Sequence, residues 1–483
     1  MLFGDAAQAV FPLGRFILHH DDRAPDAGAN KLNVIAPMKT LSVINPHAAA
    51  IDVGSEQLHL SIAGDEPVVF GTVTDEVYRL RDYVKAQGVT TVAMEATGVY
   101  WLYAYAVLEA AGLDVVVVNG RHVRNLPGRK TDMADCQWLA TLHAHGLLRG
   151  GFVPPAAIRR LQDYQRLRAD HIIGAASQVQ KMQQALERMN VKLHDVISDL
   201  VGVSGLKVVR AILEGERRPE VLLGLCDAQI QKKKRERVIA SLRGTWTPEH
   251  LFALGQGLAV WEFYQELLGQ CDEQIEAVLQ ELAGPPPAAG SDAAVPAGKP
   301  PGKNAPQIEP LHQWLVRLCG GKDVTAIAGI GDYLLLQLVA ETGPDLKAWP
   351  SEKHFTAWAG LSPGSRQSGK GKGSVQRQGN RTGRLFCAGA RRLVQSVDKA
   401  LGGFYRRLAA RKGGLVAMKA LARKLAELYY RVLRYGLAYA EQGLRAYEQK
   451  YAESQRRLLA KLATKQGFKL VSLQLPSDPI TTM

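Results

Sequence analysis

Between residues 48 and 146 three short apolar strands follow one another directly, and only afterwards do helix and strand alternate. Few architectures accept that order. The opening strands read as "AAAIDVGS", "QLHLSIAG" and "EPVVFGTV", each alternating or apolar and bounded by turn residues. "TDEVYRLRDYVKAQG" has helical spacing and an acidic first turn. Then come "TTVAMEATG" as strand, "VYWLYAYAVLEAAG" as helix, "LDVVVVN" as strand, and a helix over roughly 131–146. The pattern predicts a mixed sheet flanked by helices.

This order is that of the ribonuclease-H-like fold, and the acids fall at telling places in it. Asp52 stands on the first strand after an apolar run, with Gly54 leaving space beside it. Glu95 terminates the fourth strand, where an acid is costly unless paired, solvated or bound to metal. Asp132 and Asp135 open the last helix, three positions apart and so on one face, directly after Arg129 and Lys130. With the first and fourth strands side by side and that helix crossing their ends, the four carboxylates converge. Hard oxygen ligands suit Mg2+, with Mn2+ as a substitute, and a pair of such ions clamps the attacking and leaving oxygens of a phosphodiester. Each acid also has a plainer reading. Asp132 or Asp135 could complement the helix dipole, Asp52 could begin a turn, and Glu95 could pair with an arginine.

The chain has 483 residues, room for several domains. Its formal charge of +14 favours a polyanionic partner. The five cysteines form no CxxC pair, which supports neither a disulfide framework nor a zinc site. No apolar run suffices for a membrane span or a signal peptide, so the expected location is the cytoplasm. Residues 1–45 carry little pattern and read as an extension, leaving 46–155 for the acid-bearing domain. Residues 156–283 look almost wholly helical and suggest a coiled-coil arm, with "QKKKRER" at a candidate tip that offers Lys232, Lys233 and Lys234 to nucleic acid. The Pro, Gly and Ala content around 284–310 predicts a flexible linker. The amphipathic segments at 156–200 and 255–283 offer more apolar stripe than one hairpin needs, which predicts a homodimer assembling to a tetramer on DNA.

The last domain, 311–465, precedes a tail at 466–483 and is mostly helical. "AIAGIGDYLLLQLVAETG" is either a plain turn between core helices or the hairpin of a helix-hairpin-helix module, whose amides hold phosphate. Residues 353–392 carry nine Lys or Arg and no Asp or Glu. Arg366, Lys370, Lys372, Arg377, Arg381 and Arg384 belong to that stretch and can meet a phosphate backbone.

"AIDVG", "MEATGVYW" and "GRKTDMADCQWLA", with "AGIGDYLLLQLVAETG", "FTAWAGLSPGSRQSGKGK" and "ARKLAELYYRVL" following in order, resemble transposases of bacterial insertion sequences of the 110 family, particularly its 1111 subgroup. The resemblance spans about residues 48–170 and 311–440. It implies a RuvC-like domain with Asp52, Glu95, Asp132 and Asp135 on the four acidic positions, and a serine-bearing C-terminal transposase domain. It also implies a noncoding bridge or seeker RNA that pairs with donor and target DNA. The nucleophilic serine of the family falls on Ser368, flanked by glycine and close to Arg366, Lys370 and Lys372. Ser362, Ser365 and Ser374 are nearby competitors. The long insert around 190–250 and the Pro/Gly linker depart from the family pattern. A RuvC-type structure-selective endonuclease would need the four acids but not Ser368. An actin-like ATPase or sugar kinase would need a second phosphate loop and an adenosine loop, neither of which is present. A non-catalytic nucleic-acid scaffold explains the charge but not the acids.

Overall fold

A computed structural model of the chain describes residues 42–120, 132–284, 298–363, 379–395, 401–438, 449, 453 and 456–469, with the side chains of 132–134 excepted. Contacts divide it into two units, 1–151 and 152–483.

The first unit is a five-stranded sheet of order β3-β2-β1-β4-β5. The strands are β1 (Ala48–Val53), β2 (Gln57–Ile62), β3 (Val68–Gly71), β4 (Thr91–Glu95) and β5 (Asp114–Val118). The first three pair antiparallel, as short connections allow, while β1/β4 and β4/β5 are parallel across α1 (Thr74–Ala86) and α2 (Trp101–Ala110). The predicted mixed sheet is therefore present, with the first and fourth strands adjacent. Central strands of such a sheet are covered on both faces and read as apolar runs. Ala48 to Ile51 and Val92 to Met94 are accordingly buried.

Helix α3 (Asp132–Ala144) lies over β1 and β2. Leu139 and Ala140 on α3 pack against Ala50 and Ala93, where the small side chains let helix and sheet approach closely.

In the second unit, the long helices α4 (Ala156–Arg188) and α9 (Pro248–Ala283) run against each other as the arm pattern suggests. The chain between them is more than a basic tip. It folds into α5 (Leu193–Val196), α6 (Val203–Leu213), α7 (Pro219–Gly224) and α8 (Ala228–Ser241), with their own core. Val196, Val208, Val209, Ile212, Leu222, Leu223 and Val238 bury together there against Met182, Leu186 and Leu254 of the long helices. The lysine run thus sits on a helix of a packed subdomain.

The C-terminal part comprises α10 (Leu311–Leu318), a 3-10 turn at Val324–Ala326, α11 (Asp332–Thr342), α12 (Glu352–Trp358), α13 (Arg381–Leu393), α14 (Leu401–Lys412) and α15 (Gly414–Tyr435). Phe355, Phe386, Tyr429 and Tyr430 are fully buried at its centre. The Tyr430 hydroxyl donates to the Trp349 carbonyl at 2.8 Å, so the ring's polar end is satisfied inside the core. Two ionic clusters tie α4 to this part. Buried Asp272 accepts from Arg168 and from the Gln307 amide, while the Arg168 guanidinium lies 5.1 Å over Tyr333. Buried Glu341 accepts from Arg166, Gln162 and Arg381.

Residues 298–310, expected within a flexible linker, are packed against the C-terminal part and α4. Lys299 Nζ donates to the carbonyls of Thr325, Ile327 and Ile330, and Asn304 O accepts from Arg168 at 2.9 Å. Three carbonyls converging on one ammonium offset the entropy cost that Pro/Gly composition alone leaves unmet. In the Gly-Ile-Gly turn, Gly329 takes φ +88° and abuts α13: a Cβ there would stand 2.9 Å from Leu393 and 3.1 Å from the Gly389 carbonyl. Packing therefore accounts for Gly329, whereas Gly331 at the start of α11 faces open space. Among the described residues no helix is long and apolar enough to cross a membrane.

Candidate active site

The parallel register of β1 and β4 pairs Ile51 with Met94, so the next residues, Asp52 one short of the end of β1 and Glu95 at the end of β4, follow at the same level of adjacent strands. Side chains alternate along a strand. Ala50 and Ala93 face α3, and Asp52 and Glu95, two residues further on, share that face. Both acids are half-buried.

Helix α3 is pinned to this end of the sheet by Cys136. Its thiol donates to the carbonyl of His59 at 2.8 Å and approaches that of Ala50 at 3.4 Å, and His59 is the register partner of Asp52. Burial pushes the Cys136 thiol up to about 12, so it acts as a neutral donor. Asp135, the preceding residue, is exposed in the first turn of α3, and Asp132 begins the helix.

Past β5 the chain reaches Gly120, which lies against the Glu95 carboxyl. A Cβ at Gly120 would stand 1.9 Å from Glu95 Oε1 and 2.6 Å from Cδ. Only a hydrogen at that position leaves the carboxyl where it is. The role of Gly120 was not anticipated from sequence, although Asn119-Gly120 after an apolar run is a turn signal. Among the described residues Asp52, Glu95 and Asp135 do not bring their ligand atoms within 4.8 Å of one another, so what suits a hard divalent cation here is the oxygen chemistry of the donors.

Residues 49–191 match a family model described as a transposase, of the DEDD type of IS110, and residues 322–406 match that of the transposase IS116/IS110/IS902 family. The chain carries IS110-family transposase domains. Comparison with curated proteins finds no match.

The first transposase domain holds Asp52, Glu95 and the start of α3, and its DEDD type suggests divalent-metal use. The second contains the positions of Arg366, Ser368, Lys370, Lys372 and Arg377, which lie outside the described residues, as do Arg129 and Lys130 in the first. Arg381 and Arg384 part company within one helical turn. Arg381 turns inward to Glu341 at 3.2 Å, whereas Arg384 is exposed on α13 together with Arg391 and Arg392. Those two arginines follow Arg384 at helical spacing, a signal visible in the sequence. On α8, Lys232 and Lys233 are exposed, while Lys234 donates to the Val196 carbonyl at 2.6 Å where the helix kinks. Elsewhere, Glu187, His194 and Asp195 come together, with Lys192 ion-paired to Glu187 and already supplying a positive charge. This group is separate from the four acids.

Proposed function

We propose that this chain is the transposase of an insertion sequence, a cytoplasmic RNA-guided recombinase that cleaves and rejoins donor and target DNA. A noncoding bridge or seeker RNA selects the DNA, Asp52, Glu95, Asp132 and Asp135 hold Mg2+ or Mn2+, and Ser368 is the nucleophile. The observation that carries this reading is the pairing of Asp52 and Glu95 at neighbouring strand ends beneath α3, with Gly120 shaped to the Glu95 carboxyl. When bound, a divalent ion neutralises charge developing on the phosphodiester oxygens.

Residues of the chain do the rest. The Ser368 hydroxyl attacks phosphorus, a new Oγ–P bond forms as one P–O bond of the strand breaks, and the proton given up by the serine is balanced by the one taken up by the departing oxygen. The released strand keeps a hydroxyl, which can later reverse the ester and rejoin DNA without another energy source. Exposed Arg384, Lys232 and Lys233 supply phosphate contacts, as do Arg129, Lys130, Arg366, Lys370, Lys372 and Arg377 in this reading. Exposed apolar side chains on the long helices, Leu167, Ile173, Phe252 and Phe263, support association into a dimer that becomes a tetramer on DNA.

The deciding experiment traps reactions on labelled DNA and maps any covalent adduct by peptide mass spectrometry. An adduct on Ser368 that is lost in Ser368→Ala, with DNA binding retained, is the expected result. Normal strand joining by Ser368→Ala overturns the serine mechanism and leaves a hydrolytic RuvC-type endonuclease. Sequencing of co-purified RNA tests the guide: one dominant species is expected, and a random cellular mixture counts against it.

A further inference from the structure

Immediately after Glu95 the chain runs from Ala96 to Leu108 without one charged residue, although the protein as a whole carries +14. Much of this stretch is on the surface. Val99 is 69% exposed, Tyr100 51%, Leu102 44% and Tyr103 44%. Four large apolar side chains exposed within five residues form a patch, not the scattered exposure of an ordinary surface. The patch begins four residues beyond Glu95, at the same end of the sheet as Asp52 and Gly120.

Its side chains are held in place. Gly98 takes φ +54°, and the Tyr100 ring lies across it, 3.6 Å from where a Cβ would be. Tyr103 acts on Tyr78 of α1, whose phenol it pushes up, and the Tyr78 ring is itself covered by the Arg81 guanidinium at 4.8 Å. Beneath them Trp101 meets buried Tyr105 edge-on at 5.5 Å, anchoring the start of α2 to the core. Rings fixed in this way lose little freedom when something stacks on them.

We propose that Val99, Tyr100, Leu102 and Tyr103 form an apolar stacking wedge that receives the unpaired bases of the DNA strand whose phosphate lies at Asp52 and Glu95. This rests on the carboxylate site being where DNA is cut. A phosphate backbone seeks cations, which the stretch lacks, whereas base faces are apolar and stack on aromatic rings whatever their sequence. Apolar side chains placed beside a bound strand serve elsewhere as wedges that unstack a base step. Here the wedge holds the strand open beside the carboxylates, so that the phosphodiester between the parted bases is presented to them.

The test uses the full-length protein and two DNA probes: a 30-base-pair duplex, and the same duplex interrupted by a six-nucleotide unpaired bubble containing 2-aminopurine. Calcium replaces magnesium, so that binding is read without cleavage. The wild-type protein should prefer the bubble and change the 2-aminopurine fluorescence. Tyr100→Ala/Tyr103→Ala should abolish the fluorescence change and lower bubble affinity by roughly tenfold or more, with duplex affinity kept. Tyr103→Phe, which keeps the ring, should retain the fluorescence change. Preference for the bubble should persist as salt rises, because stacking is not ionic.

An unchanged bubble preference in the double variant overturns the proposal. So does a larger loss on an RNA of the same sequence than on the DNA bubble. A change in the variant's oligomeric mass by mass photometry also overturns it, since the patch would then be a protein interface. Asp52→Asn separates this inference from the reading it rests on: loss of cleavage with the fluorescence change intact supports both, whereas full cleavage by Asp52→Asn removes the carboxylate reading whatever the bases do.

Discussion

Gly120 and Glu95 touch: the α-carbon of the glycine lies so close to the carboxyl that an added Cβ would stand 1.9 Å from Oε1. Gly120→Ala must therefore push the Glu95 carboxyl aside while leaving every acid in the chain. The expected outcome is a DNA-cleavage rate about 10- to 100-fold lower at limiting magnesium, as when a support of a metal ligand is lost. Adding Glu95→Asp, one methylene shorter, should recover part of the rate in the double variant. Cleavage assays across a magnesium titration decide it, and an unaltered metal dependence in Gly120→Ala would sink the assignment of Glu95.

Removing charge without volume tests the four acids directly. Asp52→Asn, Glu95→Gln, Asp132→Asn and Asp135→Asn should each abolish magnesium-dependent strand cleavage while DNA retention on a filter stays within twofold. Full recombination by any one of them removes that residue from the metal set.

Cys136 offers a pH signature of the α3–sheet contact. Burial raises its thiol from the ordinary 9 up to about 12. Below pH 9 the thiol is protonated in folded and unfolded chains alike, and its stabilisation is fully present. Between pH 9 and 12 the unfolded chain releases the proton while the folded one keeps it, so stability falls as pH rises. Buried Cys319, also raised to about 12, acts in the same direction. Urea midpoints measured from pH 8 to 11 should fall less steeply in Cys136→Ala than in the wild-type chain, and parallel curves would refute the contact.

Asp272 and Arg168 are both buried, and the aspartate also holds the Gln307 amide. Asp272→Asn leaves the guanidinium without its counter-charge. The second unit should lose about 3–5 kcal/mol of stability, the usual consequence of removing one partner from a buried pair. Chemical denaturation followed by circular dichroism reads this.

Neighbouring cations should separate by role. Lys232→Ala/Lys233→Ala should weaken nucleic-acid binding and flatten its salt dependence by roughly 0.7–0.9 in log–log slope per lost phosphate contact. Lys234→Ala should leave the slope alone and lower thermal stability, because its ammonium serves the Val196 carbonyl. The same contrast is expected between exposed Arg384 and inward Arg381.

The apolar run of β1, broken by Asp52, and the acid ending β4 were readable because strand pattern is local: it marks a strand and its odd residue before any partner is known. From that, and from the order of elements, the mixed sheet and the meeting of Asp52 with Glu95 could be expected. Gly120 could not be placed, since its closeness to Glu95 depends on the parallel register between β4 and β5. Nor could Lys232 be told from Lys234, or Arg384 from Arg381, because each pair differs only in which neighbour the helix turns toward.

The sequence by itself determined the kinds and order of the elements, the acids at the strand and helix ends, and the excess of positive charge. Those properties follow from periodicity, turn chemistry and composition, which act over a few residues. Tertiary structure alone decided that residues 193–241 build a core of their own and that 298–310 is tied down by Lys299. It also decided that a glycine after β5 shapes the carboxylate site. Each of these depends on carbonyls, side chains or backbone brought from distant parts of the chain into van der Waals or hydrogen-bond contact, and short-range pattern carries no record of such meetings.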